Sequence, residues 1–254
     1  MSDAQRFANR RQGETSGACL AGSAPRLVLA SASPRRRELL GWLGATFQAI
    51  ATDGEEQDDA PPAELVAALP PCPVPLATHP TLLAWRKVQA ACAEAPDSVI
   101  IGADTIVVLD GDVLGKPRDE DHARAMLARL AGRQHTVYTG LVVVRPGPAP
   151  EPPALALVAS DVLIAPVRAE TIAAYVATGE PMDKAGAYGI QGLGGQLVVS
   201  VSGSYTCVVG LPLVETYALL VQAGISALHE PADAYQRWLH AQGKEPLPCP
   251  PTFP

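Results

Sequence analysis

Long apolar runs are missing from this chain, and none approaches the ~20 residues that a membrane-spanning helix requires. The first residues mix Asp3, Arg6, Arg10, Arg11 and Glu14 with small side chains and offer no continuous apolar stretch of the secretory-signal kind. Cysteine is scarce. Cys19, Cys72, Cys92, Cys207 and Cys249 are odd in number and widely spaced, with no C-x-x-C pair or His/Cys cluster, which argues against a zinc centre. Free thiols in a reducing cytosol are the expectation. Positive charge is also short, with 19 Lys and Arg against 26 Asp and Glu and a net charge of −7. That balance excludes a general nucleic-acid binder held by phosphate contacts. No internal repeat marks a solenoid or array. These absences leave a cytoplasmic protein with neither membrane nor nucleic acid as partner.

What is present fits a soluble globular chain. The 254 residues are 48% hydrophobic and 18% charged, enough for one large domain or two small lobes around a substantial core. The 25 prolines cluster at 61–80, 146–153 and 246–254, which read as loops or tails. Charge is unevenly placed. Arg26, Arg35, Arg36 and Arg37 are followed by no Lys or Arg until Arg86, while Asp53, Glu55, Glu56, Asp58, Asp59 and Glu64 fill the gap. A basic site facing an acidic segment suits a metal–phosphate ligand, and a solvated acidic loop is the bland alternative.

Residues 27–40, LVLASASPRRRELL, show where the basic site lies. Leu27, Val28 and Leu29 read as a short buried strand. Ser31, Ala32 and Ser33 then turn the chain, Ser33 is a capping residue, and Pro34 fits the first helical position. Arg35, Arg36 and Arg37 crowd the first turn, where the helix dipole already presents about half a positive charge. A capping box would place Glu or Gln at Arg36. An anion held by free amides, serine hydroxyls and guanidinium groups relieves that conflict, so the segment reads as a phosphate site.

Further along, 46–50 reads as a strand, 53–80 as an acidic and then proline-rich connection, and 82–93 as a helix in which Lys87 by itself is unremarkable. Residues 98–104 read as a buried strand that stops at Gly102, leaving Asp104 outside its carboxyl end, where ligands of α/β sheets gather, although without a surrounding motif a turn or cap role is the favoured reading. The strand continues over 105–109, and Asp110-Gly111 marks a two-residue hairpin returning through Val113 and Leu114. Lys116 follows at the hairpin end, within reach of a phosphate as a point charge. A helix spans 119–131 with Gly132 behind it, and 136–144 is a strand interrupted at Thr139-Gly140. Residues 155–167 form a strand, 169–177 a helix and 197–201 a strand, and Pro212 opens a last helix over 213–223. The glycine-rich stretch 179–195, GEPMDKAGAYGIQGLGG, reads as a ligand-covering loop.

Five motifs in this order, SASPRRRELL, GADTIVVLDGDVLGKP, the H-x-V-x-T-G at 135–140, GEPMDKAGAYGIQGLGG and GSYTCVVGLPLVETY, resemble the Maf family of nucleoside triphosphate pyrophosphatases. The resemblance covers roughly 27–224. It implies an α/β fold like that of the inosine-triphosphate pyrophosphatases (Maf/Ham1), an elongated mixed sheet split into two lobes by a cleft. It implies a homodimer that hydrolyses a nucleoside triphosphate to the monophosphate and pyrophosphate with a divalent cation, Mg2+ or Mn2+. The domain then spans 26–228, between a flexible extension at 1–25 and a tail at 229–254.

Matched residue by residue, Ser31, Ser33, Arg35 and Arg36 correspond to the phosphate-binding helix start, Lys87 and Lys116 to phosphate-side lysines, and Asp104 to the general base and a metal ligand. Glu56 corresponds to a second metal carboxylate, with Glu55 one residue away as the alternative. Arg35, Thr105 and Gln191 resemble the subgroup acting on dTTP and UTP, and Gln191 takes the base-recognising place. The family's association with septum formation leaves a nucleotide-sensing regulator as a second reading, and GADTIVVLDGDVL leaves a nucleotidyltransferase as a third.

Overall fold

The computed structural model describes residues 26–52, 60–147 and 151–243. Its seven strands are β1 (Leu27–Ala30), β2 (Phe47–Ile50), β3 (Val99–Leu109), β4 (Asp112–Leu114), β5 (Gln134–Val144), β6 (Ala154–Ile164) and β7 (Val198–Ser202). They form one mixed sheet in the order β2-β1-β3-β5-β6-β7, with β4 added against β3. β1 pairs parallel to β2 and β3, and every other pairing is antiparallel. Eight α-helices accompany the sheet among the described residues: α1 (Pro34–Trp42), α2 (Ala63–Ala68), α3 (Pro80–Glu94), α4 (Glu120–Leu130), α5 (Ala169–Val176), α6 (Tyr205–Val209), α7 (Leu213–Gln222) and α8 (Pro231–Ala241).

The apolar runs in β1, β3 and β5 exist because both faces of the sheet are covered there. Successive side chains of a strand point to opposite faces. Leu27, Leu29, Val99, Ile101, Leu141 and Val143 join the large core. Their alternates Val28, Ala30, Ile100 and Val142 join a smaller cluster with Ala84, Val88 and Ala91 of α3.

Two glycines let α3 lie unusually close to the sheet. A Cβ on Gly102 would meet Val88 Cγ2 at 2.6 Å and the Ala84 carbonyl oxygen at 2.8 Å. A Cβ on Gly140 would meet the backbone N of Thr81 at 2.3 Å and the Pro80 carbonyl carbon at 2.5 Å. The expected interruption at Thr139-Gly140 is therefore absent, because β5 runs on through it and pairs Gly140 with Asp104. Gly140 serves close packing and leaves the strand unbroken.

Local chemistry places several elements as expected. Asp110 and Gly111 take positive φ of 54° and 87°, the backbone a tight hairpin of this twist demands. Asp119 caps α4 by accepting from the His122 amide at 2.7 Å. Two short helices, α2 and α6, lie where the sequence reading places no helix, since six and five residues carry too little periodic signal. The expected tail from 229 also needs correction. Residues 231–241 form α8, whose Ala234, Trp238 and Leu239 enter the main core, with Trp238 fully buried. The i, i+4, i+5 apolar spacing of those residues is the signal that identifies it. The segment 1–25 lies outside the described residues.

One core group titrates abnormally. His135 is buried, with Nε2 2.8 Å from the Tyr188 hydroxyl and no partner for Nδ1. Burial pushes its pKa down to about 4, against a smaller upward pull from Asp161. The unfolded chain, at a His pKa of about 6.5, binds the proton more readily, so stability falls as pH drops from about 6.5 toward 4 and is unaffected by this group above that window. Thermal melts of His135→Gln should show a shallower loss of Tm across that window than wild type. Gly140→Ala should cost roughly 3 kcal/mol in denaturant unfolding, because its new methyl meets backbone that cannot step aside.

Candidate active site

Neutral acceptors orient the side chains at the start of α1. Ser33 caps the helix, its Oγ accepting from the Arg36 amide at 3.4 Å. Ser31 Oγ accepts from the Ser33 amide at 3.2 Å and from Arg36 Nη1 at 3.3 Å. The Arg36 guanidinium also donates through Nε to the Gly210 carbonyl at 2.9 Å and through Nη2 to Thr105 Oγ1 at 3.1 Å. Thr105 is in turn 2.9 Å from Thr139 Oγ1, which donates to the Cys207 carbonyl at 2.8 Å. Arg36 is thus tied to the residue after β1, to β3 and to the residue that closes α6. Arg35 is not. Its Nη1 lies 3.7 Å from Asp183 Oδ2, longer than a hydrogen bond, and about a third of the side chain is exposed.

The floor of the site follows from the glycine-mediated approach of α3. Asp104 shares a sheet face with Gly102, two residues earlier, and so points toward α3. Lys87 lies on the buried face of that helix with Ala84, Val88 and Ala91. Its Nζ donates to Asp104 Oδ1 at 2.6 Å, and both side chains are close to fully buried. A lysine that is unremarkable in sequence becomes half of a buried ion pair.

The stretch 179–195 folds as three 3-10 turns, Glu180–Asp183, Ala185–Ala187 and Leu193–Leu197, gathered around Glu180. The Glu180 carboxylate accepts from the Leu193 amide at 2.9 Å, the Gly194 amide at 3.2 Å and the Tyr175 hydroxyl at 2.9 Å. Burial would push its pKa up, but those donors and the nearby Lys184 outweigh it and hold the carboxyl below its ordinary range. Asp183 is likewise held low, because Lys184, at 2.6 Å, and Arg35 outweigh its own burial. Side chains at Gly192 and Gly194 would collide with Glu180 and the Tyr175 hydroxyl, so the glycines exist to let the loop wrap this carboxylate. The wrapped loop presents Gln191, whose buried Oε1 has no hydrogen-bond partner.

A cleft of about 670 Å3 brings these parts together. It is lined by Ser31, Ser33, Arg35, Arg36, Lys87, Asp104, Thr105, Lys116 and Gln191, the site residues expected from sequence apart from Glu56. Glu56, with its neighbour Glu55, lies outside the described residues. Glu180, Asp183, Lys184 and Tyr188 line the cleft too. Sequence reasoning marked their segment but missed their roles, and the available signal was a cluster of charged residues inside a glycine-rich loop. Among the described residues no group of three His, Cys, Asp or Glu side chains is placed to hold a metal ion. No described helix is long and apolar enough to cross a membrane.

The two arginines differ in what they do for the empty protein. Arg35→Ala should leave the ligand-free Tm unchanged or slightly raised, since it relieves like charge at the helix start. Arg36→Ala should lower it by an amount equivalent to about 1–3 kcal/mol, because it strands the Gly210 carbonyl and two hydroxyls. Both should weaken binding of a triphosphate. Scanning calorimetry with and without ligand separates the two effects.

A family model described as Maf-like protein matches residues 26–223. A dTTP/UTP pyrophosphatase of Shigella boydii is 48% identical over 210 residues, covering 82% of this chain and 98% of its own length. A dTTP/UTP pyrophosphatase of Escherichia coli O157:H7 and a nucleoside triphosphate pyrophosphatase of Shigella flexneri are each 47% identical over the same spans. With the ordered motifs gathered in one cleft and this similarity running through nearly all of the described chain, the protein belongs to the Maf-like family.

Proposed function

We propose that this chain is a nucleoside triphosphate pyrophosphatase acting on dTTP and UTP. The observation that carries the reading is the arrangement of one cleft: Arg35, Arg36, Lys87 and Lys116 line it together with a buried Asp104, and Gln191, whose Oε1 has no hydrogen-bond partner, lies on the same lining. A triphosphate needs its charge neutralised before water can attack phosphorus, and cations approaching from several elements do this in a partly enclosed site. The names and high identity of the relatives support the same activity.

In the proposed reaction a water oxygen attacks the α-phosphorus, the α–β bridging P–O bond breaks and pyrophosphate leaves. Asp104 orients the water and takes its proton, while Lys87 fixes the carboxylate through Oδ1. Asp104, with Glu56 as the second carboxylate expected from the sequence, would hold a hard, oxygen-preferring cation such as Mg2+ or Mn2+, which would supply charge stabilisation when bound. Gln191 offers both a donor and an acceptor, matching the alternating carbonyl and N–H edge of thymine and uracil. The sheet regions flanking the cleft read as the two lobes of an inosine-triphosphate-pyrophosphatase-like fold, and a cytoplasmic homodimer completes the proposal.

Released pyrophosphate measured for dTTP, UTP, CTP, GTP and 7-methyl-GTP on one preparation tests this reading. The expected result is the highest kcat/KM for dTTP and UTP, by roughly ten- to hundredfold over the purine nucleotides, the scale of one mismatched polar contact. A preference for 7-methyl-GTP would overturn the base assignment, and binding without turnover would make the site a sensor. Asp104→Asn keeps an oxygen for Lys87 but cannot take the proton, and should lower kcat by ~10²–10⁴. Near wild-type turnover in that variant would remove Asp104 from the chemistry.

A further inference from the structure

The anion site contains a carboxylate that ought to work against it. Glu38 lies three residues after Arg35 on α1, a spacing that places both on one helix face, and both line the cleft. An unrestrained Glu38 would pair with the Arg35 guanidinium and compete with phosphate for it. In the structure it does not. Glu38 Oε1 accepts from Trp238 Nε1 at 3.0 Å and from Gln242 Nε2 at 2.8 Å, and Arg35 instead sits loosely, 3.7 Å from Asp183.

Both donors belong to α8 or the residue that follows it. Trp238 is fully buried, in ring contact with Tyr205 at 5.7 Å and Tyr235 at 5.9 Å between centroids, so its N–H is fixed in direction. Gln242 is exposed at the end of the helix and lines the same cleft. α8 begins at Pro231, beyond the last residue matched by the family model, 223. We propose that α8 is a positioning element of the anion site: Trp238 and Gln242 hold the Glu38 carboxylate away from Arg35 and so leave that guanidinium to the incoming phosphates. The inference rests on the reading of the cleft as a triphosphate site.

The test uses the full chain and two variants that release Glu38 differently. Trp238→Phe keeps an aromatic ring in the core but loses the N–H together with part of the indole volume, while Gln242→Ala removes an exposed donor without touching the core. Binding of inorganic tripolyphosphate is measured by calorimetry, and KM and kcat are measured with dTTP. Each variant should weaken tripolyphosphate binding roughly five-fold, the scale of one exposed ion pair that phosphate must displace, and raise KM in proportion with kcat unchanged. Adding Glu38→Gln to either variant should restore binding, because the neutral amide no longer competes. Unchanged binding in both single variants, or a loss that Glu38→Gln does not restore, would overturn the proposal. If Trp238→Phe fails to fold, Gln242→Ala alone decides. Wild-type protein that binds tripolyphosphate but does not hydrolyse dTTP would sink the pyrophosphatase reading and leave this binding comparison intact.

Discussion

Lys87 and Asp104 meet at 2.6 Å inside the protein, and the geometry of the site depends on that contact. Two buried charges are costly to desolvate, and their attraction offsets the cost only when the geometry is good. Here the geometry comes from backbone. Gly102 and Gly140 remove the side chains that would hold α3 off the sheet, and the helix settles close enough for a lysine on its buried face to reach a carboxylate on the strand. Either glycine replaced by a larger residue would move the helix, and with it one half of the pair. The site's chemistry and the packing of the smaller core are therefore one constraint.

The arginines show a second balance. Three of them at a helix start oppose the dipole, and a salt bridge to each would relieve the strain but would also occupy the groups that bind phosphate. Arg36 donates to the Gly210 carbonyl and to the hydroxyls of Ser31 and Thr105. These neutral acceptors fix the direction of the guanidinium. Arg35 keeps only a long contact to Asp183, whose other neighbour, Lys184, shares that carboxylate. The cleft thus gathers Arg35, Arg36, Lys87 and Lys116 within a chain that is acidic overall.

The glycine-rich loop bends around a single carboxylate. Glu180 collects two amides and a tyrosine hydroxyl, and the loop bends around it tightly enough that side chains at Gly192 and Gly194 would not fit. The same loop also sends Ala187, Tyr188 and Ile190 into the main core. It contributes Gln191, Tyr188 and Lys184 to one cleft.

By itself the sequence determined the elements whose cause is local. The Ser33–Pro34 helix start, the Asp110-Gly111 turn, the capping of α4 by Asp119 and the strand runs at 27–30 and 105–109 all follow from residues within a few positions of one another, whereas β3 runs on through Gly102, where the sequence suggests a stop. The ordered motifs also identified most of the residues that line the cleft. Tertiary structure decided what those residues do for one another. Arg36 meets the Gly210 carbonyl 174 positions away, Glu38 meets Trp238 across 200, and Lys87 finds Asp104 only because two glycines in different strands admit α3. Gly140 and α8 were misread for the same reason. A glycine in a strand looks like a break, and a short amphipathic segment near the end of a chain looks like a tail, until the surface each packs against is known. Local propensity is set by neighbours in sequence, whereas burial and pairing depend on which distant surfaces the fold brings into contact.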